Sequence, residues 1–487
     1  MSSLARAHAV ASHSNRLRLT GPAPVVVVLA VTLTVAGCAT PPPESTRPAM
    51  DVPARFAGSS LGNGLLQPAN PAAADVPDAW WTLFNDPVLN DLEARLLTGN
   101  QNLQAAAAAV AVAKAALGTA QAGALPALGL TAGATRSDGS STSGPSSSIS
   151  AQGVLATWEL DVWGRVAAGI DAAAARLDAS RHTLAAQRLS LQGVLVQSYF
   201  AARTSQALQT ILARSVQSYE QSLKLVDNRH QAGVATLADM AQARAQLHST
   251  QAQLAEAQLQ GKQLVHALAL LVGQAPGAFT LAANPLPTDL PALPAVPEQL
   301  PSQLLERRPD IAAAERQVAA AQAQAGAAAA ALFPAITLSA SAGARGSELA
   351  RLFQSPNHIW SLGTAVAVSL FDGGARDAAK ASAQASQQQV VATYRQTVLT
   401  ALQEVEDNLA AAHQLAQTVQ AQTQALAAAT QALEVLQNQY KAGTVGYLNV
   451  LTAQNTVLSA ERSLLDARNR QMAAVNQLLK NVAGRWR

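Results

Sequence analysis

The chain repeats itself across a proline-rich divider, and that duplication restricts its fold more than any other feature of the sequence. At an offset of about 208 to 211 residues, Asn102-Leu103 meets Asp310-Ile311, and Leu125-Pro126-Ala127 meets Phe333-Pro334-Ala335. Further on, Leu160-Asp161-Val162-Trp163-Gly164-Arg165 meets Leu370-Phe371-Asp372-Gly373-Gly374-Ala375-Arg376, and Arg229-His230-Gln231-Ala232-Gly233 meets Gln439-Tyr440-Lys441-Ala442-Gly443. The spacing survives along the whole half, which chance alanine and glutamine matches do not produce. The divider, Pro276 to Pro309, holds eight prolines and cannot form a long helix.

Each half reads as helix, two strands, very long helix, tight turn, helix. Leu177, Leu184 and Leu191 recur every seven residues, as do Leu247, Leu254, Gly261 and Leu268 after the first turn. Val419, Leu426, Leu433 and Tyr440 keep that period, and Leu451, Leu458, Leu465, Met472 and Leu479 carry it to the end. Sustained sevens predict coiled-coil packing. No proline interrupts Arg165 to Arg229 or Ala375 to Tyr440, and at the helical rise each run spans about 100 Å. Alanine, roughly a fifth of the residues, suits such thin seams: it forms helix well and contributes little buried apolar area.

The strand segments alternate. Ile336, Leu338, Ala340, Ala342 and Ala344 interleave with Thr337, Ser339, Ser341, Gly343 and Arg345. Trp360, Leu362, Thr364, Val366 and Val368 interleave with Ser361, Gly363, Ala365, Ala367 and Ser369, and Val154, Ala156, Trp158 and Leu160 with Leu155, Thr157 and Glu159. Leu125 to Arg136 follows the pattern more weakly. Runs of about ten residues, apolar on one face and small or polar on the other, suit a membrane barrel. The expected strands are 125–136, 151–163, 333–345 and 359–371, joined by loops at Ser137–Ser150 and Gly346–His358. Four strands cannot close a barrel, and an open edge cannot sit in lipid, so several chains must share one. An eight-stranded barrel is filled by its own side chains, so a channel prefers three chains and twelve strands.

The formal net charge of +3 belongs to the N-terminus. Residues 1–37 contain Arg6, Arg16 and Arg18 and no acid, leaving 30 basic against 30 acidic residues beyond them. With no basic run elsewhere to track phosphates, nucleic acid is not an expected partner. The arginines precede an apolar run from Ala23 to Ala36, short for a transmembrane helix and arranged like a secretory signal. Val35-Ala36-Gly37-Cys38 resembles a bacterial lipobox, which makes Cys38, the only cysteine, the expected lipidation site and 1–37 the signal peptide. Ala39 follows where lipoproteins retained at the inner membrane carry aspartate, so outer-membrane sorting is expected.

Trp80-Trp81-Thr82-Leu83-Phe84-Asn85-Asp86-Pro87-Val88-Leu89-Asn90-Asp91-Leu92 resembles the opening of TolC/OprM-type outer-membrane efflux proteins, in the NodT-like lipoprotein subgroup. Leu305-Glu306-Arg307-Arg308-Pro309-Asp310-Ile311, Leu370-Phe371-Asp372-Gly373-Gly374 and Tyr447-Leu448-Asn449-Val450-Leu451-Thr452-Ala453-Gln454 resemble three further motifs of that family. The resemblance implies a mostly α chain with a membrane β part, assembling as a homotrimer with a twelve-stranded β-barrel and a twelve-helix periplasmic α-barrel. It implies a signal peptide (1–37), an arm (38–88), a first repeat (89–275), an equatorial connector (276–309) and a second repeat (310–484). It also implies a passive exit duct for drugs or toxic compounds, with a periplasmic adaptor, a proton-driven inner-membrane pump and outer-membrane lipid as partners.

By the same resemblance, the turns at 230–236 and 440–446 dock the adaptor through Gly233, Val234, Ala235, Gly443, Thr444 and Val445. The glycines also serve as left-handed helix caps. The family's constriction carboxylates correspond to Asn449 and, one helical turn later, Thr452. Asp239 matches a place from which a closing hydrogen bond to Tyr440 is expected; equally, it is an acid favoured by a helix N-terminus. A tip without those carboxylates is expected to give weak block by polyvalent cations.

No short His pair, Cys/His cluster, phosphate loop, nucleophile elbow or dinucleotide fingerprint occurs, so neither an enzyme nor a cofactor is expected. The remaining carboxylates are expected in surface ion pairs. Two other functions remain open: the outer-membrane channel of a type I-like secretion system, and a coiled-coil lipoprotein tether without a pore.

Overall fold

The computed structural model describes residues 48–56, 66–67, 79–137, 146–282, 296–297, 307–346 and 349–482. The signal segment, Cys38, most of the arm and much of the connector lie outside the described residues.

Helix α1 (Pro87–Gly99) is the first α-helix among the described residues and hands over to α2 (Gln101–Ala122) at Asn100. Asp86 caps α1 by accepting from the amides of Val88 and Leu89, with proline at the first helical position, where its missing N–H costs nothing. Asn100 does the same for α2. Strands β1 (Ala127–Ser137) and β2 (Ser146–Leu160) follow, then the 67-residue α3 (Arg165–Gln231) and α4 (Leu237–Leu271). The second half presents α5 (Pro309–Ala330), β3 (Ala335–Gly346), β4 (His358–Ala367), α6 (Ala375–Lys441), also 67 residues long, and α7 (Tyr447–Val482). Leu66–Gln67 and Val296–Pro297 form a short parallel bridge between arm and connector.

The two largest departures from the expected strand ends are the start of β2 and the end of β4. Strand β2 starts at Ser146, because Ser146 to Ser150 pair with β1 and extend the ladder into the serine-rich segment. Strand β4 stops at Ala367; Val368 to Phe371 have no ladder partner and lead into the glycine pair that starts α6.

Strands β1 to β4 form one antiparallel sheet in the order β1-β2-β3-β4, in which β1 and β4 are unpaired edges among the described residues. Register carries the alternation across all four. Leu128, Ala156, Ala340 and Leu362 lie in one row. Ala127, Thr157, Ser339 and Gly363 lie in the neighbouring row, on the opposite face. The apolar face is uncovered: Leu128 is 75%, Leu130 77% and Trp360 81% exposed. On the other face the hydroxyls of Ser341 and Ser361 meet at 2.7 Å. Register shifts at Gly129/Thr131 and Gln152/Val154 bend the sheet where β1, β2 and β3 run together.

Sheet and helices meet through two matching joints. The Asp161 carboxylate accepts from the amides of Val166 and Ala167, and Asp372 accepts from those of Gly374 and Arg376. Gly164 (φ 73°) and Gly374 (φ 87°) make the left-handed step into the long helices. Trp163 stacks on Phe333 at 5.0 Å and donates to the Pro334 carbonyl at 2.7 Å, tying the first joint to the second repeat.

The main core gathers where the arm returns to the middle of α3. Trp80, Trp81, Phe84, Leu89, Tyr199 and Phe200 are all buried there, with edge-on and tilted ring contacts. The Tyr199 hydroxyl donates to Asp86, the residue that caps α1, and Arg203 lies over the Tyr199 ring at 4.9 Å. Burial and the bond to Asp86 push the Tyr199 hydroxyl up to about 12.

Glu93 contradicts the expectation that carboxylates sit in surface ion pairs. It is fully buried between α1 and α3, and among the described residues neither carboxylate oxygen has a hydrogen-bond partner. Desolvation pushes its pKa up to about 9, against the smaller opposing pull of Arg188 and Gln192.

Candidate functional site

Two helical hairpins end the chain far from the sheet, and their turns share one geometry. After α3, Gly233 takes φ 74° and the Val234 amide reaches back to the Arg229 carbonyl at 2.8 Å. After α6, Gly443 takes φ 79° and the Thr444 amide reaches the Gln439 carbonyl at 3.0 Å. This six-to-one bond with a left-handed glycine ends a helix while satisfying its last carbonyls. Val234 stands 71% exposed at the first tip; Thr444 is exposed and Val445 half-buried at the second.

Of the two readings of Asp239, the helix-start acid is the one found within a single chain, where Asp239 makes no bond to Tyr440. The Asp239 carboxylate instead accepts from the backbone amide and hydroxyl of Thr236, while Thr236 accepts from the Asp239 amide. This reciprocal box satisfies the N-terminus of α4, so local capping takes the carboxylate away from the second hairpin. Among the described residues the buried Tyr440 hydroxyl has no hydrogen-bond partner.

A different residue joins the two hairpins. Arg229, in the last turn of α3, lies over the Tyr440 ring at 4.4 Å and donates to the Lys441 carbonyl at 3.2 Å. Below it, Tyr219, Val226, Met240, Tyr440, Tyr447 and Val450 form a separate apolar cluster. The Tyr219 hydroxyl donates to Asn455 at 2.9 Å, and Gln454 donates to Ser218 and Ser222. Burial, with smaller contributions from Tyr440, Tyr219 and Asp239, pushes the Tyr447 hydroxyl up to about 12. Sequence reading missed Arg229 although it lies inside the repeated tip motif, where the second repeat has Gln439.

Asn449 and Thr452 are exposed on α7 beside the tip, and the Thr452 hydroxyl donates to the Leu448 carbonyl of its own helix. Seven-residue steps carry the same face from Thr452 to Ser459 and Asp466, both exposed. That face borders a groove of roughly 970 Å³ to which α3, α4, α6 and α7 all contribute. Its walls are mostly amide and hydroxyl, including Gln246, Ser249, Gln253, Thr418 and Gln422, with Arg462, Asp466 and Arg470 as charges. A groove reached by all four helices marks the concave side of the strip. The hollows bounded by Gln206, Gln209 and Gln258 involve α3 and α4 and not α6 or α7.

A membrane-type sheet with one uncovered apolar face, continuous with a concave strip of long helices, defines a chain of the outer-membrane channel class. The match to the outer membrane efflux protein family covers residues 93–274 and 300–484, and the chain belongs to that family. The pyoverdine export outer membrane protein OpmQ of Pseudomonas aeruginosa is 34% identical over 84% of this chain and 87% of its own length. The probable outer membrane lipoprotein SilC of Salmonella typhimurium is 30% identical over 93% of this chain and 96% of its own. Among solved structures, the outer-membrane channel OprN superposes with a TM-score of 0.82 at 27% identity, over 91% of this chain and 99% of that one. The chain is thus an outer-membrane efflux channel protein, the outer-membrane component of an efflux pump.

Proposed function

We propose that three copies form a passive exit duct, the outer-membrane part of a tripartite pump that expels small toxic compounds. The observation that carries this reading is the four-stranded sheet with two open edges and an uncovered apolar face. Unpaired edges are not tolerated in lipid; three such sheets, edge to edge, remove every edge and leave the serine-bearing face around the lumen. Alanine-rich helix faces support the same assembly: Ala105, Ala108, Val112 and Ala115 on α2, and Ala378, Ala381 and Ala385 on α6, are exposed in the single chain. Small residues let neighbouring backbones approach closely.

The tips at Gly233–Ala235 and Gly443–Val445 dock a periplasmic adaptor, and a proton-driven inner-membrane pump supplies the energy. Cys38 carries the lipid anchor. Arg229 with Tyr440 holds the tips of one chain together, while Asn449 and Thr452 line the constriction. Relatives whose names specify export of pyoverdine, solvents and toluene support a small-molecule cargo.

Reconstitution into planar bilayers tests the duct. Discrete conductance that grows when Arg229 is replaced by alanine is the expected result. Purified chain that stays silent even with the tips loosened would favour the tether without a pore.

A further inference from the structure

The concave face that carries Thr452, Ser459 and Asp466 continues along α7, two heptads further on, to Lys480. The same seven-residue step joins Thr204 of α3, in the groove, to Ser190 and Thr183, and Thr418 of α6 to Glu404 and Thr397. Away from the tips, these side chains line a second cavity of roughly 500 Å³, a recess in the same wall. One side is apolar, built from Ala186, Leu189, Pro309, Ala313 and Ala314.

The polar side is built around Arg308. Its guanidinium holds Asp310 with two bonds (3.0 and 2.7 Å), Glu404 at 2.8 Å and the Asn481 carbonyl oxygen at 3.2 Å. Those contacts satisfy both carboxylates and turn the Asn481 amide so that its Nδ2 faces away from Arg308. Asn481 is 2% exposed, and among the described residues this Nδ2 has no acceptor.

Lys480 stands beside it, half-buried, with no carboxylate among the described residues at ion-pair distance. Its stem lies against α3 at Gly193, where a Cβ would stand 2.8 Å from the Lys480 Cδ. Desolvation lowers the Lys480 pKa and Arg308 adds to that, against the opposing pull of Glu404 and Asp310. The recess is thus lined by an ammonium without an ion-pair partner among the described residues, an apolar wall and the Arg308-bound carboxylates of Asp310 and Glu404, with the buried Asn481 amide beside the lysine.

We propose that this recess is a resting site for amphiphilic carboxylates in transit. The ammonium of Lys480 and the amide of Asn481 receive the carboxylate, and the alanine and proline wall takes the apolar part. Charge-assisted hydrogen bonds of this kind are the strong ones in a partly desolvated site. The inference rests on the duct reading, since only there does the recess open onto the path of cargo.

Titration calorimetry of the full chain in non-ionic detergent, with benzoate as probe and benzamide as its uncharged counterpart, tests the site. Saturable benzoate binding at one site per chain is expected, weakened at least about tenfold by Lys480→Gln. Gly193→Ala, which displaces the lysine stem without removing its charge, should weaken it too, and benzamide should not compete. No saturable binding at millimolar benzoate, or binding indifferent to both substitutions, overturns the proposal. In planar bilayers, benzoate should interrupt wild-type current and spare Lys480→Gln. Chain that binds benzoate but conducts nothing keeps the recess and sinks the duct; chain that conducts but binds none does the reverse.

Discussion

Glu93 is an acid that the fold keeps neutral. Unfolded, its carboxyl releases a proton near its ordinary value of 4.5; folded, it holds that proton to about pH 9. Between those limits the folded chain binds one proton more than the unfolded chain, so stability falls as pH rises through the window. At pH 7 the penalty is about 3 kcal/mol on this shift. Glu93→Gln should therefore raise the apparent melting temperature in detergent at pH 7 to 8 and flatten its dependence between pH 5 and 9. A variant that melts with the wild-type pH slope would refute the assignment. The burial of Glu93 was available in the sequence, since Leu89, Leu92, Glu93 and Leu96 share one helical face. Its want of a hydrogen-bond partner was not, because the groups around it, Arg188 and Gln192 among them, come from α3 across the chain.

Helices and their ends were the legible elements. Proline spacing, heptads and the two tip glycines are local signals, and they located α3, α6 and both turns. Strand ends were less legible, because the pairing that extends β2 to Ser146 and releases Val368 depends on the neighbouring strand. Asp239 allowed two readings for a similar reason: its matching position implied a bond to Tyr440 and its place at a helix start implied a cap, and Thr236, three residues away, decides for the cap within one chain. The joints make a prediction at this scale. Asp161→Ala and Asp372→Ala each remove a side chain that accepts two helix-start amides, a loss of about 1 kcal/mol apiece. Amide exchange at residues 165–168 and 375–378 should quicken in the respective variant while the tips stay protected. Exchange quickening at the tips instead would mean that the joint transmits strain along the helix. At the tips, Gly233→Ala and Gly443→Ala force a side chain into the left-handed region, at a cost of about 1 kcal/mol each. Limited proteolysis should then cut at the altered turn first, and an unchanged cleavage order would count against that strain.

The proposed trimer would turn single residues into rings. In a trimer, each exposed position on the concave face of α7 appears three times around the duct, so one substitution changes three charges at one level. Asn449 brings no charge to the narrow end, and neither does Thr452 one turn further on. Asp239, in the first turn of α4, is engaged with Thr236. A tip of this composition has little to hold a polyvalent cation, since three neutral amides offer dipoles where three carboxylates would offer a concentrated negative field. Asn449→Asp should create that field. Single-channel current should then become sensitive to micromolar divalent or polyamine cations applied from the tip side, while the wild type stays indifferent. Screening separates this from a change in gating: block by a charged ring weakens as ionic strength rises, because the Debye length shortens to about 3 Å at 1 M salt. Strong cation block in the unaltered chain, lost when Asn449 becomes alanine, would overturn the reading and make the amide ring itself the cation site.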